Sequence, residues 1–449
     1  MHKSFQAVYV PMGVGTFHMP TAEEQFQSSI AMLREFCDDI IVPEEKILST
    51  DQLSAYLDTL EPDLVILQNL TFANAAYTSE VMHRFRNVPL LLWTLREPVI
   101  DGGRLRLNAL TGAFSAANTI RQFKQEPFEY VYGGPEEKQV REAAKKMISA
   151  ARVRFAMQSL KVCAIGHTPQ GFGFGRALDN DMLEVFGVRQ DAIEARELID
   201  LAKSYTDEEC REYLQDALNR TVGLMDTPEK NRLDFARIYK AYDVFVKKNG
   251  IGAVASRCWP DFFTSFGTPV CSVLAMLNDL GVAAACEADM YGALSMWIGM
   301  QLSGRAVFFG DPVSLNEQEN TLTFWHCGTA ACSLARKDTG ACIGEHCNRH
   351  IGPTMEFGCE QSDHATVFRI GRNPDGTFRF FIASGKALDR PKQFFGTSTV
   401  LEMNGPAESM VYEAVREGWE PHYAVIYEDV ADELEMLAHM FKAEVRRFN

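Results

Sequence analysis

Four residues in the second half of the chain have the types and the settings to hold a divalent cation against a substrate: Glu287, Asp311, His326 and His422. Glu287 closes the apolar run VAAAC, Asp311 closes RAVFFG and His326 closes LTFW, while His422 opens HYAVIYED. Both carboxylates thereby stand at the C-terminal ends of strand-like segments of an α/β pattern, and a helical pattern follows Glu287. Open α/β sheets gather their ligands at that edge. Hard divalent cations prefer carboxylate oxygen, and Mn2+ also accepts imidazole. Two carboxylates and one histidine leave positions for two neighbouring substrate oxygens, where the cation would stabilise the charge of an enediolate. A carboxylate close by could then move a proton between the two adjacent carbons. Interconversion of an aldose and a ketose needs that arrangement. Ordinary roles fit the same residues: a carboxylate at a strand end caps a helix, Asp311-Pro312 starts a turn, and His422 fills a partly buried position after Pro421.

A second concentration of metal-binding types lies between Cys327 and Cys359, where five of the eleven cysteines fall. Cys327, Cys332, Cys342 and Cys347, with His346 and His350, could hold a structural zinc ion or an iron–sulfur cluster. Their spacings, CGTAAC and CIGEHC, are Cys-x4-Cys, at the loose end of the zinc range, and iron–sulfur spacings fit no better. The competing reading is a set of free, partly buried thiols. The odd cysteine count and the absence of an export signal in MHKSFQAVYVPMG favour free thiols in a reducing compartment, so a cytoplasmic protein is expected.

The elements that must position these residues follow from length and patterning. A chain of 449 residues is too long for one core, and 46% hydrophobic with 23% charged residues is ordinary for a globular protein. The formal charge of −16 repels phosphate backbones and anionic lipid heads, which argues against nucleic acid and membrane as partners. No apolar run is long enough to span a bilayer. QAVYVP, DDIIVP, DLVILQN, PLLLWTL and FEYVYGG read as buried strands separated by amphipathic helices, which predicts a doubly wound α/β domain over residues 1–160. KVCAIGH, GAVASRCWP, AAACEAD and RAVFFGD, with helical stretches between them, predict a second doubly wound α/β domain over 161–322. TVFRIGR, TFRFFIAS, TSTVLEMNG and HYAVIYED predict a β-rich, barrel-like domain over 323–449, closed by a terminal helix near Val430–Arg447.

The block from Cys258 to Gly328 carries a resemblance. It opens with Cys-Trp-Pro, places NDLG ahead of ACEAD, continues through a helix to an aspartate at a strand end, and finishes with His-Cys-Gly. DLVILQNLTFANAA, VPLLLWTLREP and IGHTPQGF in the first half, and EPHYAVIYEDVADELEMLAHMF near the end, extend it over nearly the whole chain. This pattern resembles the L-fucose and L-arabinose isomerase superfamily. The resemblance implies a Mn2+ ion held by Glu287, by Asp311 24 positions later, and by His422, with the two acids also serving proton transfer. It places His326 where the arabinose branch has an extra metal-site histidine, here a substrate contact, and puts Trp259, Gln170 and Asn118 on the pocket wall. It implies a trimer or hexamer with sites between subunits, which Asn118 or Gln170 could reach from a neighbour. The chain departs from the family in being shorter than typical fucose isomerases and in its Cys- and His-rich stretch.

The substrate stays open among fucose, arabinose and 6-modified hexoses such as sulfoquinovose. An anionic sugar would require an arginine fork, for which Arg96, Arg336, Arg349 and Arg372 are available. Two other functions compete. A non-catalytic sugar-binding protein would not need both Glu287 and Asp311. A metal-dependent sugar-phosphate aldolase shares the enediolate but usually brings a His-rich zinc site.

Overall fold

Strands buried on both faces read as near-continuous apolar runs, and the first three strands do so, with only Gln68, Asn69 and Thr94 polar at their ends. β1 (Ala7–Met12), β2 (Leu64–Asn69), β3 (Leu90–Thr94) and β4 (Glu129–Tyr132) pair in that order, all parallel. The helices are α1 (Met19–Phe36), α2 (Thr50–Leu57), α3 (Ala75–Arg84), α4 (Ala109–Gln122) and α5 (Lys138–Met157). Side chains alternate between the sheet's two faces. Tyr9, Ile66 and Trp93 pack with Phe26 and Leu33 of α1 and Val140 and Ala144 of α5. Val10, Leu67 and Leu92 pack with Leu53 of α2, Val81 of α3 and Ile120 of α4. Helices on both faces make this the expected doubly wound arrangement. DDIIVP does not become a strand. Ile41 makes only an isolated bridge to Val8, and Pro43, which has no N–H to donate, interrupts any ladder.

The computed structural model describes residues 4–123 and 127–448, and the chain divides into two compact units. The first runs to Phe155 and adds Met436–Lys442; the second comprises Ala156–Glu435 and continues from Ala443. No helix among the described residues is long and apolar enough to cross a membrane.

The second unit begins with β5 (Lys161–Ile165), α6 (Asp179–Phe186), β6 (Arg189–Ile193), α7 (Ala195–Ser204), α8 (Arg211–Arg220), β7 (Thr221–Val222) and α9 (Glu229–Asn249). It continues with β8 (Ala253–Ser256), α10 (Cys271–Asp279), β9 (Ala283–Cys286) and α11 (Met290–Ser303). A parallel sheet runs β6-β5-β8-β9. The sequence predicts one helix over Asp191–Ser204. Instead β6 runs to Ile193, and a capping box of Glu194 and Glu197 starts α7. β6 is a polar, half-exposed edge strand, so it leaves no apolar run to read.

Next come β10 (Phe308–Asn316), β11 (Thr321–His326), β12 (Ala341–Gly344), β13 (Thr354–Met355), β14 (Ser362–Arg372), β15 (Phe378–Ala387) and β16 (Thr397–Met403). The chain ends with α12 (Ala407–Arg416), β17 (Tyr423–Ile426), α13 (Ala431–Met440) and β18 (Glu444–Phe448). β14, β17, β10, β11, β16 and β15 pair antiparallel in that order, and β15 returns to β14, so six strands close a barrel-like sheet. Closure removes the open edges that invite association. The terminal helix is shorter than the predicted Val430–Arg447. Lys442 adopts a left-handed backbone with φ of 55°, and β18 then adds parallel to β15. In the sequence E-V-R-R-F the apolar residues Val445 and Phe448 are too few to show which structure forms.

α11 joins the two sheets of this unit. It is buried from Met290 to Met300 and packs on β8 and β9 as well as on β14 and β17. A helix apolar on all sides belongs inside a fold. Its Gly299 leaves no room for a side chain, since an added Cβ would meet Ile426 Cγ1 of β17 at 2.7 Å and Val307 Cγ2 at 3.2 Å. Gly299→Ala is expected to destabilise the protein by about 1–3 kcal/mol through overpacking, measured by urea unfolding. An unchanged midpoint would contradict this packing.

Candidate active site

The chain leaves β9 through two successive non-glycine residues with left-handed backbones, Glu287 with φ of 61° and Ala288 with φ of 55°. Each costs on the order of 1–3 kcal/mol and persists only where the surroundings enforce it. Here they are enforced from both sides. Asp289 caps α11, its Oδ1 accepting from the Gly292 amide at 2.9 Å. Gly175 and Gly292 press against the turn: a Cβ on Gly175 would meet Asp289 Cα at 2.9 Å, and one on Gly292 would meet Phe309 Cε2 at 2.6 Å. The turn holds the Glu287 carboxylate toward the barrel.

Three barrel side chains converge on it. His422, at the mouth of β17, brings Nε2 to 2.9 Å from Glu287 Oε2 and 3.5 Å from Asp311 Oδ1. His326, the last residue of β11, brings Nε2 to 3.7 Å from the same Glu287 oxygen. The donor atoms of Glu287, His326 and His422 all lie within 4.8 Å of one another. Asp311 lies inside β10, paired with Trp325 of β11, and not at the end of a parallel strand as the sequence suggests. An apolar run identifies a strand but carries no mark of its direction, which is why the residue is assigned to the wrong sheet. The imidazoles are buried, at 1–2% exposure, whereas the carboxylates of Glu287 at 15% and Asp311 at 29% reach the accessible side. A ligand therefore meets oxygen first, with nitrogen behind it.

Behind His422 stands a second layer. His422 Nδ1 is 2.9 Å from Asp289 Oδ2, and Arg369 of β14 donates from both Nη atoms to the two Asp289 oxygens, the Nη2 bond measuring 3.0 Å. Asp289 and Arg369 are both essentially inaccessible. Nδ1–H donated to Asp289 fixes the tautomer and leaves Nε2 facing Glu287 and Asp311. Phe309 and Phe174 flank the His422 ring at centroid distances of 4.9 and 5.2 Å.

Electrostatics follow this geometry. Burial opposes ionisation of Glu287, but the nearby imidazoles of His326 and His422 outweigh it and bring the carboxyl down to about 2. Burial likewise works against the charged form of His422. Its bonds to Asp289 and Glu287 prevail and hold the imidazole up at about 9. Asp311 moves the other way: burial raises it above the usual carboxylate range, and the charge on Glu287 adds to this against the pull of His422 and His326. The His326 Nε2 is a buried nitrogen without a hydrogen-bond partner. Carboxylate oxygens and imidazole nitrogens at these separations, one of them unsatisfied, suit a hard or borderline divalent cation.

The remaining sequence candidates lie outside this cluster. Trp259 is half-buried, with its ring under the Arg349 guanidinium at 5.5 Å. Gln170 is exposed on the loop that carries Phe172 and Phe174 to His422. Asn118 is exposed on α4 of the first unit, whereas the cluster is built wholly from the second. Of the four arginines, Arg96 pairs with Glu137, Arg336 with Asp338 and Asp389, and Arg372 with Asp181. The sequence motifs do not single out Asp289 and Arg369 as site residues. Their signals are a carboxylate directly ahead of a helix, which marks an N-cap, and an arginine inside the apolar strand TVFRIGR, which requires a buried partner.

Asp289→Asn leaves Arg369 buried without its counter-charge. It is expected to lower stability by about 3–5 kcal/mol in urea unfolding; a loss under 1 kcal/mol, roughly a surface-mutation effect, would contradict the buried pair. A pH effect follows from His422. Its folded value, about 9, lies above the unfolded 6.5, so its charged form stabilises the fold fully below 6.5 and this contribution fades as pH rises through about 9. In EDTA, the ring's NMR titration should centre near the upper value and the urea midpoint should fall across that window.

No family model matches the chain. It is 58% identical over 440 residues to a sulfoquinovose isomerase from Clostridium sp. (strain MSTE9), covering 98% of each chain. It is 35% identical over 443 residues to a sulfoquinovose isomerase from Priestia aryabhattai, again 98% of each. A sulfoquinovose isomerase from Alkalicoccus urumqiensis is 35% identical over 439 residues, 95% of this chain and 98% of that one. Likeness of this depth, running from one end of the chain to the other, means that the protein belongs to the sulfoquinovose isomerase family and is an isomerase.

Proposed function

We propose that the chain interconverts a 6-sulfonated aldose, of which sulfoquinovose is the type, and its ketose through an enediol, with a divalent cation held by Glu287, Asp311 and His422. One observation carries the reading: His422 Nε2 stands 2.9 Å from Glu287 and 3.5 Å from Asp311, although the three residues come from separate elements. The names of the relatives support the substrate class. The motif resemblance to the fucose and arabinose isomerases supports Mn2+, a homo-oligomer and a cytoplasmic setting as parts of the same proposal.

When bound, the cation supplies a Lewis acid for the carbonyl and the neighbouring hydroxyl. The protein's own groups do the rest. Asp289, fixed by Arg369, holds Nδ1–H of His422, so that Nε2 is the nitrogen turned to Glu287 and Asp311. Glu287 and Asp311 share the transfer of the proton between the two carbons. Asp311 is the more accessible, and burial raises its pKa toward the range in which a carboxyl can both accept and return a proton. Phe309 and Phe174 crowd the face of His422 and limit water there.

Turnover of sulfoquinovose is expected to vanish in EDTA and return with Mn2+. Asp311→Asn should lower kcat by about 10²–10⁴-fold while the protein still binds Mn2+ in calorimetry. Full activity in EDTA would defeat the metal reading. Higher kcat/KM for neutral aldoses than for the sulfonated sugar would defeat the substrate assignment. Because the metal must displace one proton from the His422 imidazole, Mn2+ affinity should rise about tenfold per pH unit up to about 9, with proton release measurable by calorimetry in buffers of different ionisation heat.

A further inference from the structure

The cysteines form a second group of metal donors, different from the one their sequence spacing suggests. Cys332 lies against Met276 Sδ at 3.8 Å, and Cys342 donates to the Thr339 carbonyl at 3.4 Å. Cys327 instead meets thiols from other elements. Cys271 begins α10, Cys286 ends β9, and Cys258 follows β8. All four, and His346, are buried.

Donor atoms of Cys271, Cys327 and His346 lie within 4.8 Å of one another, and the Cys271 and Cys327 sulfurs are 4.0 Å apart. A tetrahedral ion with metal–sulfur bonds of about 2.3 Å spaces two sulfurs about 3.8 Å apart, so the pair is already set for one ion. Cys286 belongs to a second triple, with Cys327 and His326. Thiols buried only as small apolar groups would explain four cysteines. They do not explain an imidazole among them. His346 is 5% exposed, edge-on to Phe263 at 4.9 Å, and its polar surroundings are the thiols of Cys327 and Cys347 and, at 3.3 Å, the Asn348 amide.

We propose that Cys271, Cys327 and His346 supply three ligands of a structural zinc ion, as a site distinct from the carboxylate cluster. Thiolate and imidazole donors select zinc over the harder cations suited to Glu287 and Asp311. The burial matches a closed site with no place for substrate. The ion would tie the start of α10 to the end of β11, where Cys327 follows the open-site residue His326.

The test uses the full-length protein, purified under reducing conditions and dialysed against EDTA to clear the carboxylate site. Atomic spectrometry is expected to find about one zinc per chain, and titration with an organomercurial should release it, read with a zinc-binding dye. Cys271→Ser and His346→Gln should retain only a small fraction of it. Protein grown with cobalt should show thiolate-to-cobalt absorption that Cys271→Ser lacks. If the variants fail to fold, the mercurial release from the unsubstituted protein decides the matter. Protein without zinc even after growth with added zinc, zinc lost to EDTA alone, or iron with inorganic sulfide in its place would each overturn the proposal.

Discussion

Arg369, Asp289 and His422 form a buried chain of charge on which the candidate site depends. A carboxylate inside a protein is tolerated only with partners that replace water. Asp289 has Arg369 on both oxygens, His422 on one and the α11 amide end on the other. These contacts tie the start of α11 to two barrel strands, β14 and β17. They also settle which nitrogen of His422 faces the open side. The geometry of Glu287 follows, because Asp289 ends the left-handed turn on which Glu287 sits.

Strain and packing meet at that turn. Two left-handed residues in sequence are unfavourable on their own. They persist because Gly175 and Gly292 allow neighbouring chain to close within distances that no side chain would permit. The result is a carboxylate pointed into the barrel mouth, with imidazoles behind and a second, more exposed carboxylate alongside. The charges are arranged in layers, from arginine through carboxylate and imidazole to carboxylate at the accessible face.

The sequence revealed what periodicity and apolar runs encode. β1, β2, β3 and the barrel strands β14, β15, β16 and β17 are apolar runs and stand where expected, whereas β10 is legible as a strand but not as part of the barrel. β6 is a polar edge strand and left no such trace; the stretch after Met440 mixes charge with Val445 and Phe448 and reads as helix until Lys442 turns the chain. Glu287, Asp311, His326 and His422 were visible because each interrupts or borders an apolar run. Their second layer was not, because Asp289 resembles a helix cap, which it also is, and Arg369 declares itself only by its burial. The cysteines show the same limit: spacing groups neighbours in sequence, whereas Cys271 and Cys286 each come to Cys327 through the folding of separate elements.

The central claim is that residues from separate elements of the second unit bind one cation. A crystal structure of the protein soaked in Mn2+, with anomalous data collected at the manganese edge, tests it most directly. The account expects a single strong peak bonded to carboxylate oxygens of Glu287 and Asp311 and to Nε2 of His422, with Nδ1 still on Asp289. A peak bound elsewhere, or His422 turned away from both carboxylates, would contradict it.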